Sequence, residues 1–465
     1  MLRTISLTVM LLLALPGPVA ANDAAAARLA EAVRFRTISF QDLSLVDYNE
    51  FARFHAFLRD SFPRVFAALD VETVNQHSLL LYWRGSNSTL EPILFTAHMD
   101  VVPIEPGTEQ DWPHPPFAGT VVEGRIHGRG TLDDKQGLMG LLEAVELLLK
   151  DGYQPQRSVV FAFGHDEEIG GREGARKLAE RMRERGWHFA WMVDEGGMLV
   201  ANNPLLPERN IAMINIAEKA YVTLTLVATG EGGHSSRPPA ISTIGRLSAA
   251  LARIEQNPFP PRLPGPVVAM LESMAPHMSQ PERFIFGNLW LTGGLVAGRM
   301  SEDQLTNSFV RSTTALTMFN AGVKENVVPQ RAEAKVNFRL LPGDTPEQLV
   351  QRIEAIVDDP DIEILSDDWD SVPPVADAAG PGFNVIAEAV SAVYPEALIV
   401  PSLLTATTDT RHYVGLATDQ YRFHGMLIDA AQASSVHGTG EYIGVQSYLY
   451  SIAVAREMLR LGTSR

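Results

Sequence analysis

Cysteine is absent from all 465 residues. No disulfide can brace this chain and no thiolate can hold a metal or act as a nucleophile, so stability rests on apolar burial. Runs of basic residues are missing too. With 55 acidic against 38 basic side chains the formal net charge is −17, and without a Lys/Arg cluster no nucleic-acid partner is expected. Beyond the first residues no apolar stretch is long enough to cross a bilayer, so no membrane partner is expected either. Composition excludes disorder, since 46% hydrophobic and 20% charged residues are globular proportions. An acidic coat aids solubility. It also requires that any anionic substrate find a local cation.

What is present starts with residues 1–21, where Arg3, the apolar run Leu7 to Leu15 and the small residues Val19-Ala20-Ala21 read as a secretory leader. An exported protein, periplasmic or secreted, is expected. The length predicts two domains. Apolar, β-branched runs at Ser158–Phe163, Pro92–Ala97 and Phe189–Val193 predict buried strands alternating with helices. Each runs into chemistry-bearing residues: Asp166-Glu167-Glu168, His98-Met99-Asp100 and Asp194-Glu195 respectively. An open α/β sheet places its site at such carboxyl ends. Three consecutive acids are costly at a buried strand's end unless a cation compensates them. One glutamate can then ligate a divalent ion while its neighbour faces the attacking water as a general base. Asp100, two residues beyond His98, lies on the same side of an extended backbone and can hold the imidazole's second nitrogen.

The glycine-rich turn Gly128-Arg129-Gly130-Thr131-Leu132-Asp133-Asp134-Lys135 opens a helix. It lacks the Gly-Lys-Ser/Thr ending of a phosphate loop and puts acids where an anion would sit, so Asp133 reads as a cation ligand. After Ile216 the character changes. A half-exposed strand, a Gly/Pro-rich loop with His234-Ser235-Ser236 and a proline-rich excursion at Asn257–Pro266 mark an inserted second domain. The fold class read from this order is α/β: a three-layer sheet-and-helix catalytic domain (22–216 and 338–465) with a smaller α+β lid inserted at 217–337. Late in the chain comes Val436-His437-Gly438-Thr439-Gly440-Glu441. The candidate ligands are then His98, Asp133, Glu168, Asp194 and His437, with Glu167 left free. Two imidazoles and three carboxylates suit a pair of Zn2+ ions, for which Co2+ or Mn2+ can stand in.

His-x-Asp, Gly-Arg-Gly-x-x-Asp-x-Lys, Asp-Glu-Glu, Val-Asp-Glu-Gly-Gly and a late His-Gly occur here in order. Together they resemble the co-catalytic zinc amidohydrolases that include carboxypeptidase S, the aminoacylases and succinyl-diaminopimelate desuccinylase. The stretch Thr313 to Pro329 is most similar to carboxypeptidase S and the secreted N-acyl-amino-acid hydrolases. The resemblance implies that Asp133 bridges the two metals, that Glu168 and His437 complete one shell, and that His98 and Asp194 complete the other. It also implies Glu167 as base, Asp100 as support of His98, and a cis peptide at Asp133-Asp134. His234 matches the lid histidine that polarises the scissile carbonyl, and Asn326 and Arg339 match groups that hold the substrate's free carboxylate. Gly440 departs from the family, which often has Asn there. The expected reaction is hydrolysis of an amide beside a free carboxylate, in a small peptide or an N-acyl amino acid, with a homodimer through the lid as the expected assembly. An aminopeptidase would want an acid where Arg339 stands, and a non-catalytic metal-binding protein would have no use for Glu167.

Overall fold

The computed structural model describes residues 19–366 and 369–464. The expected leader lies outside the described residues up to position 18, and the first helix is Val19–Val33. A ten-stranded sheet forms the centre. Its middle strands run Val159–Gly164, Ile93–His98, Met192–Asp194, Gln420–Arg422 and Ile211–Glu218 in spatial order. The strand Ile93–His98 lies parallel to both Val159–Gly164 and Met192–Asp194. All three predicted strands therefore present their carboxyl ends along one rim.

Burial explains the continuous apolar runs, because both faces of these strands are covered. Phe161, Phe163 and Phe95 pack into one cluster with Leu138 and Leu142 of the helix Lys135–Lys150 and with Tyr448 and Leu459 of the helix Val445–Thr463. Val160, Ala162 and Leu94 point the other way, against Leu178 and Met182 of the helix Ala175–Glu184. Helix, sheet and helix make the three expected layers.

The inserted lid is a four-stranded antiparallel sheet in the order Thr313–Ala321, Arg331–Leu340, Ala220–Thr229, Ile362–Ser366. In Arg331–Leu340 every second residue is buried, the alternation of a sheet with one covered face. The helices Thr243–Gln256 and Pro346–Val357 provide that cover through Leu247, Ile254, Leu349 and Ile353. The expected domain end at 337 thus falls inside a lid strand. Helix Pro346–Val357 and strand Ile362–Ser366 belong to the lid's core, because amphipathic periodicity shows that a helix is half-buried but not which core it joins.

Residues 265–310 depart from the lid in the opposite sense. Val267, Leu271 and Met274 of the helix Gly265–Met274, with Leu289 and Val296 of the helix Leu289–Met300, pack with Ile211, Val400 and Leu403 of the central sheet. The far side of this helical segment leaves Trp290, Leu291 and Leu295 exposed. Among the described residues no helix is long and apolar enough to cross a membrane.

Candidate metal centre

The turn after strand Val159–Gly164 is built by backbone geometry. Glu167–Ile169 forms a single 3-10 turn, and Gly170 and Gly171 follow with φ of 111° and 65°. A Cβ on Gly171 would stand 2.1 Å from Asp409 Oδ1, so only glycine serves there. Asp166 is turned away from the site and accepts the Glu173 and Gly174 amides at 2.7 Å. Asp100 holds the other side of the turn. Its carboxylate accepts the Glu167 amide at 3.1 Å, the Glu168 amide at 3.2 Å and the Ser39 hydroxyl at 2.6 Å.

His98 is fixed by the same residue. Its Nδ1 lies 3.0 Å from the Asp100 backbone carbonyl and 3.4 Å from the carboxylate. A carbonyl can only accept, so Nδ1 carries the proton and Nε2 faces the site. That nitrogen is 2.9 Å from Asp133 Oδ1. Asp133 arrives through the glycine turn, where Gly128 has a φ of 148° and a Cβ would strike Val33 at 2.4 Å. The bond Asp133-Asp134 is cis, as the resemblance implies. His437 comes from the far end of the chain, and its Nε2 lies 3.0 Å from both Asp133 Oδ2 and Glu168 Oε2.

At the third strand end the structure brings a different acid beside His98 from the one expected, although Asp194 Oδ2 is buried with no hydrogen-bond partner among the described residues. Pairing of Leu94 with Met192 and Phe95 with Val193 brings Thr96 beside Asp194, and the Thr96 hydroxyl donates to Asp194 Oδ1 at 2.7 Å. Glu195, one residue on, turns into the site with Oε1 3.4 Å from His98 Nε2. Successive residues at a strand end point in opposite directions. The motif Asp194-Glu195 therefore offers either acid, and only the strand register decides between them. Ligand atoms of His98, Asp133 and Glu168 lie within 4.8 Å of one another, as do those of His98, Asp134 and Glu195.

The crowding of like charges shows in the proton affinities. Burial pushes Glu167 up to about 8 and Glu168 up to about 7, each helped by a neighbouring carboxylate. Burial and Asp133 raise Glu195 well above its ordinary range. Hydrogen bonds donated to Asp133 and Glu168 push His437 up to about 10. Burial opposes charge on His98, but Glu195, Asp100 and Asp133 outweigh it and raise the imidazole. This cluster is short of positive charge. The buried Glu168 Oε1 also has no hydrogen-bond partner among the described residues. Two imidazole nitrogens and several carboxylates converging in this way fit divalent cations of the zinc type.

Arg339 lies at the start of the lid, on strand Arg331–Leu340, where it donates to the Thr407 hydroxyl at 2.9 Å and stacks 4.5 Å over the Tyr221 ring. Burial lowers its pKa, against the charge of Glu167 among others. His234 and Asn326 sit together at the other end of the lid, joined by the Ser235 amide donating to the Asn326 carbonyl at 3.1 Å. Both are exposed. His234 Nδ1 accepts the Ser236 amide at 3.1 Å, which leaves the proton on Nε2 as a free donor. Its hydrogen bonds in the structure go to Ser236 and not to the metal cluster.

Two residues near Glu167 escaped the sequence reading. Burial disfavours charge on Arg411, yet Glu167, Asp409 and Asp370 together raise its pKa, and its Nε is 3.3 Å from Asp370 Oδ2. Asp409 is buried, and burial and Glu167 push it well up. Only the run Thr407-Thr408-Asp409-Thr410-Arg411 after a strand could have marked them.

The sequence profile of peptidase family M20/M25/M40 matches residues 94–461. The chain is 38% identical over 437 residues to the N-fatty-acyl-amino acid synthase/hydrolase PM20D1 of Bos taurus, spanning 93% of this chain and 86% of that protein. It is 37% identical over 430 residues to the probable carboxypeptidase S-like 2 of Dictyostelium discoideum, spanning 91% and 82%. Among solved structures, the M20 family metallo-carboxypeptidase Sso-CP2 of Sulfolobus solfataricus superposes with a TM-score of 0.69 at 19% identity, covering 95% of this chain and 99% of that one. Human carnosine dipeptidase 1 does so with a TM-score of 0.67 at 15% identity, covering 96% and 97%. The chain therefore belongs to peptidase family M20/M25/M40.

Proposed function

We propose that this enzyme hydrolyses the amide bond next to a free C-terminal carboxylate, with two divalent cations held by His98, Asp133 and Glu195 on one side and by Asp133, Glu168 and His437 on the other. The observation that carries the reading is the convergence on Asp133 of His98 Nε2 at 2.9 Å and His437 Nε2 at 3.0 Å, beside a glutamate that no histidine engages. When bound, the cations polarise the scissile carbonyl and make the attacking water more acidic. Glu167 takes the proton of that water and returns it to the leaving amine, its position set by Asp100 through the turn amide. Arg339 takes the substrate carboxylate with its planar fork, whereas Asn326, beside His234 at the far end of the lid, would assist only once a lid has closed. His234, protonated at Nε2, donates to the developing oxyanion once a lid has closed. Zinc is the metal the donor set favours, with Co2+ or Mn2+ able to replace it.

The substrate class favoured is an N-acyl amino acid, supported by the likeness to an N-fatty-acyl-amino acid synthase/hydrolase over 93% of the chain. Carboxypeptidase action on small peptides is the second reading, supported by the likeness to a carboxypeptidase S-like protein. Export follows from the leader-like residues 1–21. Homodimerisation would use the open lid edge Thr313–Ala321, where Met318 and Phe319 are exposed. The test is a panel of N-acyl amino acids, dipeptides and their C-terminal amides, given to purified protein with and without a chelator. Chelator-sensitive hydrolysis of the free acids is expected. Turnover that a chelator leaves untouched, or that demands a free amino terminus, overturns the reading.

A further inference from the structure

Asp133 and His437 reach the centre from opposite ends of the catalytic domain, and something must hold these two loops at one cation's width. A three-stranded sheet begins the task. Its central strand Arg125–His127 pairs with Thr120–Val122 and with Tyr442–Gly444, Tyr442 lying opposite His127. The first of these strands leads into the glycine turn that carries Asp133. The last follows the loop that carries His437. The Gly128 amide donates to the Glu441 carbonyl at 2.9 Å, so the ladder ends where the two loops diverge.

There Arg129 and Glu441, 312 residues apart in sequence, form a pair at 2.7 Å, with side chains 3% and 0% exposed. Each partner grips the other's loop. Arg129 NH2 donates to the carbonyls of His437 and Gly438 at 3.1 and 3.2 Å. Glu441 Oε1 accepts the amide of Leu132, the residue before Asp133, at 2.7 Å. The Trp112 ring covers the guanidinium at 5.2 Å. His437 itself has a φ of 59°, a left-handed conformation that a side-chain-bearing residue adopts at a cost. A single guanidinium holding both its carbonyl and the next one keeps it there. His98, on the other side of the centre, is held by Asp100 and is independent of this pair.

We propose that Arg129 and Glu441 are positioning residues for the cation pair: Arg129 keeps His437 against Asp133 and Glu168 and so governs the site that His437 completes, whereas Glu441 also holds the loop of Asp133, which serves both sites. The inference rests on the two-cation reading above. An ordinary structural ion pair would lower stability when broken but would not choose between the sites. Groups that orient metal ligands typically govern affinity by about 10- to 100-fold.

The experiment is calorimetric titration of the metal-free full-length enzyme with Zn2+. The parent should take up two ions. Arg129→Lys should keep one ion at parental affinity and bind the second about 10- to 100-fold more weakly, whereas Glu441→Gln should weaken both sites, because Asp133 serves both. Arg129→Lys keeps the buried charge while losing the fork to His437, so it carries the test where Glu441→Gln does not fold. Replacing both with methionine removes the isolated buried charge and should restore the unfolding temperature without restoring the second site. Two parental affinities in either single variant, or equal weakening of both sites in Arg129→Lys, overturns the proposal. A parent that binds a single ion overturns the two-cation reading itself.

Discussion

Replacing Arg339 with alanine asks whether this enzyme recognises a free carboxylate. The guanidinium spends one donor on Thr407 at 2.9 Å and rests on the Tyr221 ring, which leaves most of its fork for a ligand. It sits in partly desolvated surroundings, where burial and the neighbouring Arg411 disfavour its charge. An incoming carboxylate relieves that repulsion. A hydrogen bond to a charged partner contributes about 1.5–3 kcal/mol, which corresponds to a loss of roughly 10- to 150-fold in kcat/KM for a free acid. The contact is made equally in the ground and transition states, so the loss should appear mainly in KM. For the matching C-terminal amide the variant should differ little from the parent. Arg339→Lys should recover only part of the acid's rate, because it restores charge without the planar fork. Initial rates on one N-acyl amino acid and its amide, with metal content checked on each protein, decide the matter. Equal losses on acid and amide would refute the assignment and return Arg339 to a packing role.

Glu167→Gln should retain both metals by elemental analysis and lose at least about 100-fold in kcat; a loss below tenfold would mean another base. Glu195→Ala should release one metal whereas Asp194→Asn keeps both, and the reverse pattern of metal content would restore the acid first expected as ligand. His234→Ala should leave metal content unchanged and lower kcat about 100-fold with little change in KM, a role disproved by parental turnover at full occupancy. His55 is buried, donates to the His77 carbonyl at 3.0 Å, and burial pushes its pKa down to about 4. Since that lies below the unfolded value, its stabilising contribution is complete above pH 6.5 and is lost as pH falls toward 4. Between pH 7.5 and 5 this one residue should account for roughly 2 kcal/mol. His55→Gln should flatten that part of the urea-midpoint profile, and an unaltered slope would show that His55 does not titrate as described.

Much of this architecture was readable in the sequence because it depends on local signals. Continuous apolar runs marked strands covered on both faces, and their termini marked the rim that carries His98, Glu167 and Glu168. Glycines betrayed turns that admit no Cβ. What escaped depends on register and on long-range packing. Asp194 and Glu195 are chemically interchangeable until the pairing of Phe95 with Val193 places Thr96 against one of them. The lid was judged to end at 337 because the helix Pro346–Val357 has the same amphipathic pattern in either domain. Lid placement of His234 and Asn326 was legible, but their distance from the centre in a single chain was not.

The two long strands of the lid leave the catalytic domain at a neck, Lys219–Ala220 beside Leu340–Leu341, and the neck has a mechanical consequence. Ala220 pairs with Leu340 and Tyr221 with Arg339 at the start of a ladder that continues through Thr229 and Arg331 to His234 opposite Val327. The buried Lys219 pins this point by donating to the carbonyls of Ser308 and Arg311 at 3.1 and 2.9 Å. Arg339 therefore sits at a fulcrum, and His234 at the tip of a lever that is roughly 40 Å long at the rise of an extended strand. A rotation of about 10° at the neck sweeps the tip through roughly 7 Å and shifts Arg339 by less than about 1 Å on the same geometry. On the proposed roles, the grip on the carboxylate would be nearly indifferent to the angle of the lid, whereas the position of the imidazole would follow it, so that affinity and turnover would depend on opposite ends of one lever arm.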